Sequence, residues 1–249
     1  MKNIFIDLDD TILDFKKAEQ IAVSKTLEHF GIKATQENVD RYHELNAMHW
    51  KQLEKGLITR SQVKIGRFKS LLAELSVSNP IANDLDPREL AKYYEHALSI
   101  GHYFINGAED FLKTASKRYN LYLVSNGTAS VQKGRIKSAK IGKYFKKIYV
   151  SEDIGYNKPS KEYFHYCFAD ILGQSQSTCT DDRLSALKMV KDETVIIGDS
   201  LTSDILGGKN AEIRTVWFNP NGLENTEGVN PDFEIKRFSE FYTKVLPRL

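Results

Sequence analysis

Five short apolar runs constrain the fold of this chain more than any other feature. They are residues 2–7, Asn120-Leu121-Tyr122-Leu123-Val124-Ser125, Lys147-Ile148-Tyr149-Val150, Thr194-Val195-Ile196-Ile197-Gly198 and Arg214-Thr215-Val216-Trp217-Phe218. Each is short, rich in β-branched and aromatic side chains, and lacks the alternation of a half-solvated strand. Segments 107–118, 129–139, 160–171 and 203–210 carry helical patterns between them. Alternating helices and near-continuous apolar strands predict an α/β fold, a doubly wound, Rossmann-like parallel sheet covered on both faces.

Residues 16–100 depart from that pattern. No strand is evident there, and helical signals run over 18–30, 36–54, 59–75 and 86–98. The last opens Asp86-Pro87-Arg88-Glu89, a capping residue followed by proline in the first turn and glutamate three residues past the cap. The chain is therefore expected to divide into an α/β core, residues 1–15 and 101–249, and an inserted all-helical cap, residues 16–100. Residues 173–185, rich in Gln, Ser, Thr and Asp, read as a polar loop.

Composition narrows the function classes. The net charge is +2 over 249 residues, so no global field draws the chain to a nucleic acid polymer or a membrane surface. The basic stretch 133–147 reads as a solvated helix face and loop, with a polyanion site as the alternative. Cys167 and Cys179 lack CxxC spacing and histidine partners, which argues against zinc. No apolar stretch reaches the ~18 residues of a membrane span, and acids at position 7 interrupt any leader pattern. The expectation is a cytoplasmic protein, monomer or homodimer, acting on a small molecule.

The chemistry is expected at the carboxyl ends of the strands, where open parallel sheets bind ligands. The first strand ends in Asp7-Leu8-Asp9-Asp10-Thr11 and the second in Ser125-Asn126-Gly127-Thr128. Gly155-Tyr156-Asn157-Lys158-Pro159 follows the third, and Gly198-Asp199-Ser200 ends the fourth, with Asp204 one helical turn on. Each segment alone also reads as a turn or a helix cap. Together they place acids, a lysine and hydroxyl and backbone donors on one sheet edge. That inventory suits a phosphate beside a magnesium ion.

These four segments resemble the motifs of the haloacid dehalogenase (HAD) superfamily of phosphohydrolases, and the resemblance extends to a helical cap inserted after the first motif. It implies that Asp7 is the nucleophile and that Asp9 protonates the leaving oxygen and then activates water. It implies that Mg²⁺ is held by Asp7 and Asp199 and by the backbone carbonyl of Asp9. Asp204 would complete the metal site by orienting Asp199 or a metal-bound water. Thr11, Ser125, the Asn126 amide, Gly127 and Lys158 would hold the phosphate. Dehalogenases of the superfamily carry no acid two residues after the nucleophile, so Asp9 argues for phosphoryl chemistry. Such chemistry needs an ionised Asp7, a lysine and cation to offset its repulsion from a phosphate dianion, and an Asp9 that begins protonated in a closed, dehydrated site. Cap closure would supply that dehydration.

Longer segments are similar to pyrimidine 5′-nucleotidases of the YjjG type. They are Gly198 through Gly208, Trp217-Phe218-Asn219, and Gly56-Leu57-Ile58-Thr59-Arg60 followed by Gly66-Arg67-Phe68. The resemblance implies a nucleoside monophosphate as substrate. Trp50 and Arg67, with Tyr42 and Asn46, are the cap candidates for base or ribose contact, packing or surface pairing being the alternative for each. His43 and His49 read as ordinary helix residues. Residues 173–193 look longer than in such relatives. The competing functions are a sugar-phosphate or phosphoglycolate phosphatase, a phosphomutase, and a non-catalytic phosphate-binding regulatory module.

Overall fold

The computed structural model describes residues 1–173 and 181–249. Six parallel strands form one sheet: β1 (Asn3–Ile6), β2 (Asn120–Ser125), β3 (Phe145–Val150), β4 (Thr194–Gly198), β5 (Arg214–Phe218) and β6 (Phe233–Ile235). Their order is β3-β2-β1-β4-β5-β6. The chain winds outward from β1 in one direction and then returns to wind in the other. The switch point therefore lies between β1 and β4, the place where such sheets open a crevice at their carboxyl ends.

Helices α1 (Phe15–His29), α2 (Gln36–Glu54), α3 (Arg60–Leu75) and α4 (Pro87–Ser99) follow β1. Later come α5 (Ala108–Ala115), α6 (Ala129–Ala139), α7 (Ser151–Ile154), α8 (Lys161–Ile171), α9 (Asp181–Asp192) and α10 (Leu206–Asn210). Residues 181–185, expected in a polar loop, instead open α9, and Leu187 and Val190 of that helix pack on the core. Residues 174–180, including Cys179, lie outside the described residues. The short strand β6 is absent from the sequence expectation.

The strands are apolar on both sides because both sides are covered. Phe5 pairs in register with Tyr122 of β2 and Ile196 of β4, and these three face one way. The Phe5 ring sits 5.7 Å from Tyr122, 5.5 Å from Phe168 and 6.3 Å from Phe164, the last two on α8. Ile4 and Ile6 point to the opposite face and are equally buried. Fully burying such side chains contributes roughly 1.5–3 kcal/mol each.

Two compact units are distinguishable. One comprises Met1–Asp14, Tyr103–Gln132 and Ala139–Leu249; the other comprises Phe15–His102 with Lys133–Ser138. Residues 101–102 and Phe15 thus group with the helices, and so does part of α6. Arg135 shows why. It is fully buried, its Nε donates to the Gly101 carbonyl at 3.2 Å, and its guanidinium lies 5.6 Å from the Phe15 ring. The reading of 133–147 as a wholly solvated face fails at this residue.

The helical unit is built on clear start signals. Thr59 and Gln62 form a reciprocal capping box at α3, and Asp86 accepts from Arg88 N ahead of Pro87 at α4. Tyr42, Phe68 and Tyr94, from α2, α3 and α4, meet at ring separations of 4.9–5.5 Å. Among the described residues no helix is long and apolar enough to cross a membrane.

Candidate active site

The carboxyl end of β1 leads directly into the candidate site. Asp7 N extends the ladder to Ile197 O of β4 at 3.0 Å. The chain then turns sharply: Ile12 N and Leu13 N both donate to Leu8 O, and Asp10 adopts a left-handed backbone, φ 53°. Asp is one of the few residues that tolerates this conformation.

Lys158 is the organising cation. It is 2% exposed, and its ammonium donates to Asp7 Oδ1 at 2.6 Å, Asp204 Oδ1 at 2.6 Å and Val124 O at 3.0 Å. An ammonium has three N–H donors, so these contacts engage its full complement. Asn126 fixes the lysine from behind: Oδ1 accepts from Lys158 N, and Nδ2 donates to Lys158 O, both at 2.8 Å. The same Nδ2 donates to Ser203 Oγ at 3.2 Å, joining the ends of β2 and β4 to the Lys158 loop.

Asp199 and Asp204 come from a wide turn after β4. Ile205 N donates to Ser200 O across five residues, and Ser200 accepts from Ser203 N. The turn carries Asp204 back over Gly198, where a Cβ would lie 2.2 Å from the Asp204 carboxyl. Asp204 Oδ2 accepts from Ser200 N at 3.2 Å. Trp217 Nε1 donates to Asp199 O at 2.8 Å and so holds that backbone.

Asp7, Asp199 and Asp204 each offer an oxygen within 4.8 Å of the others. Burial pushes Asp7 up to about 8 despite the neighbouring lysine, with the charges of Asp204 and Asp9 adding to the rise. Burial, and then the charges of Asp7, Asp204 and Asp10, raise Asp199 well above the carboxylate range. Burial alone would lower Lys158, but Asp204 and Asp7 hold it above its ordinary value. One ammonium does not balance these acids. Hard oxygen donors crowded in this way fit a divalent cation of the Mg²⁺ type, which Asp7, Asp199 and Asp204 could hold.

The expected phosphate ligands fall into two groups. Ser125 Oγ accepts from Gly127 N at 3.1 Å and Gln132 Nε2 at 2.8 Å, which leaves its hydroxyl proton to give. Thr11 departs from expectation. It is fully buried and its hydroxyl lies 3.4 Å from Asp199 Oδ1, so it supports a metal-ligand candidate rather than facing a phosphate. The Asn126 side chain is likewise turned to Lys158.

The cap candidates lie within the helical unit. Arg67 is 4% exposed, donates to Asn46 Oδ1 at 2.8 Å, and has its guanidinium 4.6 Å from the Tyr94 ring. Asn46 continues to Glu19, which also pairs with His43. Tyr42 is buried beside Arg67, and His49 is buried with Nδ1 on Leu45 O. The surface ion pair considered for Arg67 is thus replaced by a buried network. Trp50 is half-buried, with the Arg60 guanidinium 5.6 Å from its ring.

Sequence reasoning passed over Gln132. It lies in the first turn of α6, where side chains lean back toward the helix N-terminus and here meet the strand ends. Its Nε2 donates to Asp9 Oδ2 at 2.6 Å as well as to Ser125.

The family model for haloacid dehalogenase-like hydrolases matches residues 4–218. The HAD-hydrolase YfnB of Bacillus subtilis is 36% identical over 241 residues, spanning 97% of this chain and 94% of that protein. The pyrimidine 5′-nucleotidase PynA of Streptococcus pneumoniae is 32% identical, spanning 96% and 92%. The pyrimidine 5′-nucleotidase YjjG of Escherichia coli is 26% identical, spanning 95% and 94%. A crystal structure of YfnB bound to magnesium, which reveals interdomain movement in that protein, matches with a TM-score of 0.82 at 34% identity over 97% of each chain. With the family model matching most of its length, this chain is a member of the haloacid dehalogenase-like hydrolase family.

Proposed function

We propose that the protein is a Mg²⁺-dependent phosphomonoesterase that works through an aspartyl-phosphate on Asp7, with pyrimidine nucleoside monophosphates as its substrates. The observation that carries the reading is that the two acids of the first motif have different hydrogen-bond partners. Asp7 is held by the Lys158 ammonium and clustered with Asp199 and Asp204. Asp9 accepts from the Gln132 amide at 2.6 Å. Two carboxyl groups with different partners are what nucleophile and acid–base roles require.

In the first displacement an Asp7 oxygen attacks phosphorus while the ester P–O bond breaks. The leaving alkoxide takes the proton from Asp9. In the second, water attacks phosphorus and gives a proton to the now ionised Asp9. The Asp7–phosphorus bond breaks, releasing inorganic phosphate and the Asp7 carboxylate. Lys158 offsets the charge of Asp7 as the anionic ester approaches, and the Ser125 hydroxyl, held by the Gly127 N–H, and the Asn126 backbone donor receive phosphate oxygens. A bound magnesium ion would supply electrostatic stabilisation of the transferring group. The helical insertion, residues 16–100, is the proposed specificity element. Of its four candidates Trp50 is carried forward, since Arg67, Asn46 and Tyr42 are buried within the bundle.

The test is phosphate release from a panel of nucleoside and sugar phosphates, with magnesium and with EDTA. Pyrimidine nucleotides are expected to lead, and Asp7→Asn to abolish release while leaving the fold intact. Full activity in Asp7→Asn overturns the mechanism. A clear preference for hexose phosphates overturns the substrate class.

A further inference from the structure

The proposed reaction leaves one buried polar side chain of this site without a part. Gln132 is 1% exposed, and an amide is not placed in such a position without cost unless its hydrogen bonds are made. Its Nε2 reaches two acceptors: Asp9 Oδ2 at 2.6 Å and Ser125 Oγ at 2.8 Å. The orientation of the amide is set by chemistry, because an amide oxygen facing a carboxylate oxygen would be repelled. Gly127 is shaped to admit it, since a Cβ there would lie 2.2 Å from Gln132 Nε2.

We propose that Gln132 is a positioning residue for the acid–base step, holding the Asp9 carboxyl and the Ser125 hydroxyl in one frame. An amide NH₂ is planar and offers its two hydrogens at a fixed angle, so one rigid group sets the directions of both acceptors. The frame ties the Asp9 carboxyl to a phosphate-binding hydroxyl, so the leaving oxygen and the phosphate are aligned by the same side chain. Proton transfer tolerates little misplacement. This inference rests on the phosphatase reading and deepens it.

The experiment compares kcat/KM, which reports only up to the first irreversible step, for two esters. One is the fastest alkyl phosphate in the panel, whose alkoxide needs a proton to leave. The other is p-nitrophenyl phosphate, whose leaving group does not. In Gln132→Met, which keeps the volume, kcat/KM is expected to fall about 10–100-fold further for the alkyl ester than for the aryl ester, within the range acid catalysis supplies, the smaller loss on the aryl ester coming from the Ser125 contact alone. Gln132→Glu, closest in shape, is expected to show the same asymmetry and serves if the methionine variant does not fold. Equal losses on both esters would mark Gln132 as packing and overturn the proposal while leaving the phosphatase reading standing. A wild-type protein that releases phosphate from neither ester overturns both.

Discussion

Lys158→Met keeps an unbranched side chain of similar bulk and removes the ammonium with its charge and its three N–H donors. The variant leaves Asp7 and Asp204, 6% and 1% exposed, each without a donor that stood at 2.6 Å. It also strips the Val124 carbonyl of a donor at 3.0 Å. Removing one partner from a buried ion pair costs about 3–5 kcal/mol, because uncompensated charge stays behind. The lower end applies here. Burial raises Asp7 to about 8 even with the lysine present, so at pH 7 it is already mostly protonated and the variant strands less charge than a fully ionised pair would. A loss of about 3 kcal/mol, at roughly 2–4 °C per kcal/mol for a chain of this size, lowers the melting temperature by about 6–12 °C. Calorimetry at pH 7 in EDTA measures it. Lys113→Met, which removes an exposed lysine paired with Glu109, should leave the melting temperature unchanged. If both variants melt within about 2 °C of the wild type, less than roughly 1 kcal/mol, the ammonium is not what holds the carboxylates together.

Two further outcomes are expected. The folded protein keeps a proton on Asp7 up to about 8, whereas the unfolded chain gives it up near 3.8. The stabilisation is therefore complete below pH 4 and is lost as the pH rises to 8. Melting temperatures of the metal-free protein should fall across that window, Asp7→Asn should flatten the slope, and parallel curves would refute the assignment. Phe5→Ala removes a fully buried ring at the centre of the aromatic cluster and should cost about 3–5 kcal/mol in urea unfolding; a cost under about 1 kcal/mol would mean the core collapses around the gap.

Much of the site was legible because strand ends announce themselves. An apolar run that stops at a carboxylate, as at Ile6-Asp7 or Gly198-Asp199, marks both an element boundary and a candidate ligand. The cap helices were legible from Thr59 and Asp86, whose capping chemistry is local. What stayed hidden depends on contacts between distant segments. Thr11 carries the same hydroxyl whether it faces a phosphate or Asp199, and the turn at Asp10 decides which. Gln132 looks like any helical glutamine until α6 is set beside the end of β1. Arg135 counts as one basic residue among many, yet lies buried against Gly101 and Phe15. β6 is three residues long after Pro231, too short for any period to register. In α9 the apolar spacing of Leu187 and Val190 was present but overshadowed by the polar residues before it.

The crowding of Gly198 under Asp204 has a consequence for how this chain can diverge. Position 198 is closed to every side chain because a residue six places later occupies the space, not because its backbone demands glycine. The two positions therefore vary as one character. A methyl group at 198 would meet the Asp204 Cβ at 2.5 Å as well as the carboxyl at 2.2 Å, so with this backbone only glycine at 204 would make room, and that step deprives Lys158 of one of its two anionic partners. Each single change passes through a form worse than its parent. The glycine can thus persist through long drift without any contact of its own to defend.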